Sequence, residues 1–346
     1  RVGAGAEAFG DDKVNGVIDA IYIEEAVQNH PRTQQVLKRF PNAVKIPCER
    51  YGEIFNRKAQ NFRLQKERPA LILAEKFDHF VLEVPAGYGI GGKRNFYFSH
   101  MLNCIYDCRY CFLQGMYRSA HYVLFVNYED FQAAIEEKIK EAQGEDAYFF
   151  SGYDCDSLAL ESITHFAAEF LPFFARHPKA WLELRTKSVQ IGTLLDMDPI
   201  PNCVAAFSLS PENIVKALEE KTPFLERRLD AMERLGKAGW KLGLRFDPLI
   251  YHDDYELQYQ RLFRDVFEKV NANQIHSVSF GAFRLPKGIY ENMFRLHPDE
   301  KLFAGTLAER DGMISYPEPL EKKMVQPIRQ KLMQYIPEKL LFPCLV

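Results

Sequence analysis

The chain has 346 residues, of which 47% are hydrophobic and 26% charged, with a formal net charge of −3. That composition supplies a large globular core and excludes collagenous and low-complexity chains, and the near-neutral charge gives no whole-molecule attraction to nucleic acid, although a local basic groove stays open. No run of about 18 apolar residues occurs, so no transmembrane helix is expected. The first residues, "RVGAGAEAFGDDK", lack an apolar stretch; they read as a flexible lead or cloning remnant over 1–16, not a signal peptide. The seven cysteines are odd in number, and Cys48, Cys155, Cys203 and Cys344 are scattered singly. This is a poor disulfide framework and points to a reducing, cytoplasmic setting.

In chain order, "VIDAIYIEE" reads as a strand, "EEAVQNHPRTQQVLKRF" as helix interrupted by Pro31, and "RPALILAEK" as another short apolar run. These make an α/β extension over 17–90. Strand-like and helix-like runs then alternate. The strands are "NFYFS", "AYFFSG", "WLELRT", "VAAFSLS", "LGLRFDP" and "VSFGAF"; the helices include "YEDFQAAIEEKIKEA", "SLALESITHFAAEFLPFFARH", "PFLERRLDAMERLGKAG" and "YELQYQRLFRDVFEKVN". Gly236 and Gly239 suit the end of the third helix. Such alternation predicts parallel βα units and a partial or complete barrel. In a barrel the chemistry lies at the C-terminal strand ends. There the sequence places Ser151, Tyr153, Asp156, Arg185, Lys187, Ser208, Ser210, Arg245 and Asp247, all expected to face one cavity.

The first of these strands runs into "SHMLNCIYDCRYCFLQG", with Cys104, Cys108 and Cys111. A four-iron cluster has four irons to ligate, and three thiolates leave one open. The Cys-x3-Cys-x2-Cys spacing closely resembles the motif of radical S-adenosylmethionine enzymes. The resemblance implies a 4Fe-4S cluster on these three thiols, with S-adenosyl-L-methionine chelated at the open iron. One-electron reduction then cleaves the cofactor to a 5′-deoxyadenosyl radical, the electron coming from an external reductant such as flavodoxin or ferredoxin. Tyr110, before the third cysteine, fits the position that contacts adenine. The competing reading is zinc in a non-catalytic binding protein, but structural zinc commonly takes four ligands, and no second Cys-x2-Cys pair follows. The fold class expected is α/β: a partial (βα)6 TIM-like barrel of the radical S-adenosylmethionine type over 91–300, after the N-terminal extension, with a C-terminal helical segment over 301–346.

Other features stand beside the loop. "GYGIGGK" lacks the helix opening and the acidic residue about 20 positions on that a dinucleotide fingerprint needs, and reads as a turn of little functional content. His100 reads as a loop histidine with ordinary hydrogen bonds. Cys155 is either a hydrogen-atom donor near the cluster or a small buried hydrophobe; Cys48, Cys203 and Cys344 read as packing residues. Lys187 and Arg245 are candidates for the methionine carboxylate or a substrate phosphate.

From about residue 20 onward the chain resembles the spore photoproduct lyase family, in "NCIYDCRYCFLQ", "YVLFVNYEDF", "LRTKS", "FSLSPE", "EEKTPFLERRLDAMERLGKAGWKLGLRFDPLIYH" and "FRLPK". The resemblance implies repair of a methylene-bridged thymine dimer, a pyrimidine photoproduct, in DNA. It also implies cluster binding by Cys104, Cys108 and Cys111, and S-adenosylmethionine contacts from Tyr110, Ser151, Lys187 and Ser208. Two positions depart from the family pattern. Phe112 stands where the lyases have a hydrogen-relaying tyrosine, and Tyr153 where they have the donor cysteine, so the donor is Cys155, or Tyr153, or the reaction differs. The region matching the duplex-opening hairpin, "AERDGMISYPEPLEKKM", is short and weakly basic. RNA or a small molecule therefore stays open as substrate.

Overall fold

The computed structural model describes residues 18–85 and 87–344; the lead expected over 1–16 lies outside them. The chain begins with three parallel strands, β1 (Ala20–Glu24), β2 (Val44–Cys48) and β3 (Leu71–Ala74). Pro31 does not interrupt a helix but opens one, Pro31–Arg39, at the first helical position, where a missing N–H costs nothing. Strand β4 (Arg94–Tyr97) starts a second sheet. After the cysteine loop the chain returns to the first sheet as β5 (Tyr122–Phe125), which pairs in parallel with β3 and antiparallel with Met101–Leu102.

The second sheet carries the expected barrel. β4 is followed by β6 (Ala147–Ser151), β7 (Ala180–Thr186), β8 (Cys203–Ser208), β9 (Lys241–Leu249) and β10 (Ile275–Ala282). These six strands pair in sequence order, all parallel, as the βα rhythm predicts. β11 (Leu341–Pro343) adds one more parallel strand beyond β10, and Leu82–Glu83 closes the other side antiparallel to β4. The sheet curls without closing, a partial barrel. Phe149, Leu182, Leu184, Phe207, Leu244 and Phe246 are fully buried along its strands, each contributing about 1.5–3 kcal/mol relative to exposure.

The sheets take strands from both sides of the boundaries expected at 90 and 300. β5 belongs to the first sheet although it follows the cysteines, and the C-terminal segment supplies β11 as well as the helix Glu318–Leu332. The run expected as one helix over 157–177 is two, Glu161–Thr164 and Phe166–Ala175, separated at His165, whose φ of 48° breaks the helix. The Glu161 carboxylate accepts from the N–H groups of Ala167 and Ala168 at 2.9 and 3.2 Å, which starts the second helix. Helix Leu225–Lys237 ends as expected at Gly239, whose φ of +96° lets Trp240 N–H reach back to Leu235 O at 3.1 Å. Gly236 sits inside that helix.

Candidate active site

The cysteine loop is held from several sides. Asn103, at φ 68°, donates its side-chain amide to Ser119 O and His121 O at 2.8 and 2.7 Å, fixing the entry. Asp107–Cys108 pairs antiparallel with Glu219–Glu220, and Arg109 N–H reaches Leu218 O at 2.7 Å. Lys66, on the helix Phe62–Glu67 of the N-terminal extension, is buried beneath the loop and donates Nζ to Cys104 O at 2.5 Å and Tyr106 O at 2.7 Å. Burial lowers the Lys66 pKa, opposed by the neighbouring thiols and Asp107. Burial would raise Asp107, but Lys66, Arg109 and Arg63 hold it below the usual carboxylate range.

All three cysteines line one cavity of about 590 Å³ at the C-terminal strand ends. Burial raises each thiol, Cys104 to about 12, so as free groups they stay protonated, and only a bound cation would hold them as thiolates. Of the strand-end residues expected here, Ser151, Tyr153, Asp156, Arg185, Lys187, Ser208, Arg245 and Asp247 line the cavity. Ser210 does not; its hydroxyl donates to Glu219 at 2.9 Å. The convergence follows from the two-residue period of a strand, which puts Glu183, Arg185 and Lys187 on one face.

Tyr110 is buried at the cavity wall. Its hydroxyl donates to Glu219, and the Lys187 ammonium lies 5.4 Å from its ring centroid. Glu219 pairs with Arg228 at 2.6 Å; burial works against its charge, but Arg228, Lys187 and Tyr110 bring its pKa down to about 2. Ser151 donates to Glu183 O at 2.7 Å and lies 2.8 Å from Ser157 Oγ. Asp156 accepts from Thr186 Oγ1 and from the backbone of Leu158, Ala159 and Lys187, tying the β6 end to the β7 end.

Cys155 and Tyr153 both reach the cavity, in different states. Cys155 is 6% exposed, and burial pushes its thiol far up. Tyr153 is 40% exposed, its ring 4.4 Å from Tyr97 and 5.4 Å from Phe112, centroid to centroid. Gly152 makes the turn that brings them there. Its φ is +79°, and a Cβ would lie 2.5 Å from Ser157 Oγ and 3.0 Å from Arg185 O.

Four expectations are corrected. Arg245 is no anion ligand: it pairs with buried Glu183 at 2.7 Å, and its remaining donors go to Leu244 O, Ser277 O and Ser277 Oγ. The "GYGIGGK" segment does reach the cavity, through Tyr88 and Ile90. Cys344 lines the cavity too, because β11 brings it there. His100 is a core residue, stacked on Phe166 at 3.8 Å, with no hydrogen-bond partner for Nδ1 among the described residues and its pKa pushed down to about 3 by burial. Sequence reasoning missed Lys66, Tyr97 and the Arg284–Asp247 pair (2.9 and 3.1 Å). Nothing local marks Lys66, which precedes the cysteines by dozens of residues; "RFDP" and "FRLPK" did hint at the pair.

A sequence profile for spore photoproduct lyase matches residues 96–303, more than half of the chain. Spore photoproduct lyase of Bacillus subtilis (strain 168) is 25% identical over 268 residues, 75% of this chain and 76% of that protein. The Clostridium acetobutylicum lyase is 19% identical over 288 residues, 82% and 83% of the two chains. Among solved structures, a spore photoproduct lyase variant with bound AdoMet and dinucleoside spore photoproduct matches with a TM-score of 0.81 at 19% identity, covering 94% of this chain and 98% of that one. A spore photoproduct lyase complexed with dinucleoside spore photoproduct gives 0.78 at 20% identity, covering 95% and 99%. The fold is shared over nearly all of the length of both chains, and the matched profile begins within β4 and spans the cysteine loop and the five barrel strands that follow. The chain belongs to the spore photoproduct lyase family.

Proposed function

We propose that this chain is a radical S-adenosylmethionine lyase that repairs the spore photoproduct, a methylene-bridged thymine pair, in DNA. The observation that carries the reading is the meeting of three thiols from one loop with the strand-end residues in a single cavity. The donor set fits a 4Fe-4S cluster on Cys104, Cys108 and Cys111. Three thiols leave one of four irons open, whereas structural zinc takes four ligands and no second Cys-x2-Cys pair follows the loop. When bound and reduced by one electron, the cluster with S-adenosylmethionine supplies a 5′-deoxyadenosyl radical.

The chain's own residues then bind, orient and return hydrogen. Lys187 has no carboxylate within ion-pair distance among the described residues and stands beside Cys108, Cys111 and Tyr110, suited to the methionine carboxylate. The Tyr110 ring, Ser151 and Ser208 complete the cofactor wall. Cys155 is assigned as hydrogen-atom donor: donation requires S–H, and burial keeps this thiol protonated. Tyr153, more exposed and stacked on Tyr97, is the second candidate. The electron comes from an external carrier of the flavodoxin or ferredoxin class in the cytoplasm; no helix among the described residues is long and apolar enough to cross a membrane.

A second reading, RNA or a small molecule as substrate, is favoured by one observation. Ala308–Arg310 and Met313–Ser315 do form a hairpin, but its one basic residue, Arg310, is answered within the chain by Glu321, as Glu309 is by Lys287 at 2.7 Å. The test is anaerobic reconstitution, iron, sulfide and zinc analysis, then reduction with a panel of lesion DNA, RNA and small pyrimidine dimers. Repaired thymines and 5′-deoxyadenosine are expected with lesion DNA; zinc, or no cofactor cleavage, sinks the proposal. Cys155→Ala should keep cofactor cleavage and divert the product to trapped adducts. An unchanged product moves the donor role to Tyr153, to be checked with Tyr153→Phe.

A further inference from the structure

Among the described residues, five cations line the cavity: Lys66, Arg185, Lys187, Arg245 and Arg284. Three are committed. Lys66 holds two carbonyls of the cysteine loop, and Arg245 is enclosed by Glu183 and the Ser277 region. Arg284 forks onto both oxygens of Asp247 and donates to Ala282 O and Tyr88 OH. Lys187 lies on the cluster side, against Tyr110.

Arg185 is left over. Its side chain is 36% exposed, and its only ion pair among the described residues is a 3.9 Å approach to Asp247 Oδ2. That carboxylate is already bidentate with Arg284, so the three groups together carry one uncompensated positive charge at the cavity wall. The backbone of Arg185 is fixed: it pairs with Ala206 on β8, and its carbonyl accepts from Ser157 N–H at 3.0 Å. The same wall carries aromatic rings, Tyr97 with Tyr153 and Tyr88 beside Arg284, of the kind on which pyrimidine bases stack.

We propose that Arg185 binds the internucleotide phosphate of the substrate, so that a lesion within a phosphodiester-linked strand is held by its backbone while its bases lie against the tyrosines. The inference rests on the reading of the chain as a lyase for a linked pyrimidine pair. A planar guanidinium with free donors matches two phosphate oxygens at once, which a lysine does not.

The test is equilibrium binding to the reconstituted, unreduced, S-adenosylmethionine-loaded protein, which needs no turnover. Two probes are compared: the dinucleoside lesion without a phosphate and the same lesion with its phosphodiester. In the parent protein the phosphate should tighten binding by about 10- to 100-fold, the range for charge-assisted hydrogen bonds. Arg185→Gln should erase most of that ratio, and Arg185→Lys, which keeps the charge without the fork, should restore part of it. No phosphate advantage in the parent, the same advantage in Arg185→Gln, or no binding of either probe overturns the proposal. So does a matching loss of S-adenosylmethionine affinity in Arg185→Gln, which would assign the residue to the cofactor. Product formation on reduction is scored separately. A phosphate advantage that vanishes in the variant, without turnover in the parent, keeps this inference and refutes the lyase reading.

Discussion

Lys66→Met should loosen the iron–sulfur cluster without unfolding the protein. Lys66 is 4% exposed, and its ammonium donates to two carbonyls inside the cysteine loop, at 2.5 and 2.7 Å. Removing it leaves one buried and one part-buried acceptor without that partner, at up to about 1–3 kcal/mol each. Relief of the burial penalty on the ammonium itself, the cause of its lowered pKa, offsets part of this. The net cost is on the order of 2 kcal/mol, or about thirtyfold in an equilibrium constant. Because both bonds are made to the loop that carries Cys104, the cost falls on the cluster-binding conformation. The assay is chelator-driven iron loss from anaerobically reconstituted protein, followed by absorbance and run beside urea unfolding of the apo chain. Iron loss about thirtyfold faster, with little change in the urea midpoint, is expected. Iron loss within about twofold of the parent would refute the view that Lys66 pins the loop, and a large midpoint change would show its role to be global.

Glu219→Gln should destabilise the apo protein at neutral pH by about 3 kcal/mol, from a folded pKa of about 2 against the ordinary glutamate value of 4.5. A depressed carboxylate contributes stability above its unfolded pKa and loses it on acidification. The gap between parent and variant in denaturant titrations should therefore narrow as pH falls from about 4.5 toward 2; a gap independent of pH contradicts the assignment. Glu183→Gln leaves the buried Arg245 charge without its partner, at about 3–5 kcal/mol. With an unfolding entropy of about 0.7 kcal/mol per kelvin for a chain this long, the melting temperature should drop by about 4–7 °C. A calorimetric shift under about 1 °C counts against the pair. Gly152→Ala puts a side chain at φ +79° and 2.5 Å from Ser157 Oγ, costing at least about 1–3 kcal/mol. It should also displace Tyr153 and Cys155, so repaired product should fall more than cofactor cleavage; equal falls in both would show that the turn does not aim these residues.

The sequence by itself determined the six parallel strands, their order and the loop that carries the three thiols. Those features are local: short apolar runs alternate with amphipathic helices, and the cysteine spacing is read from one stretch of backbone. The strand-end residues were legible because a strand's two-residue period and the parallel topology send them to one end of the barrel. Tertiary structure decided what each of these charges is free to do. Arg185 and Arg245 look alike in sequence, each two residues from another polar strand-end position. Only packing shows that Arg245 is enclosed by Glu183 from β7 and Ser277 from β10, and that Arg185 is left open beside an aspartate already held by Arg284. The support beneath the cysteines was equally hidden. Lys66 comes from the N-terminal extension, and β5 carries the chain back to that sheet after the loop. Contacts of that range leave no periodicity or motif in the sequence, because they depend on how two sheets meet and not on any one segment.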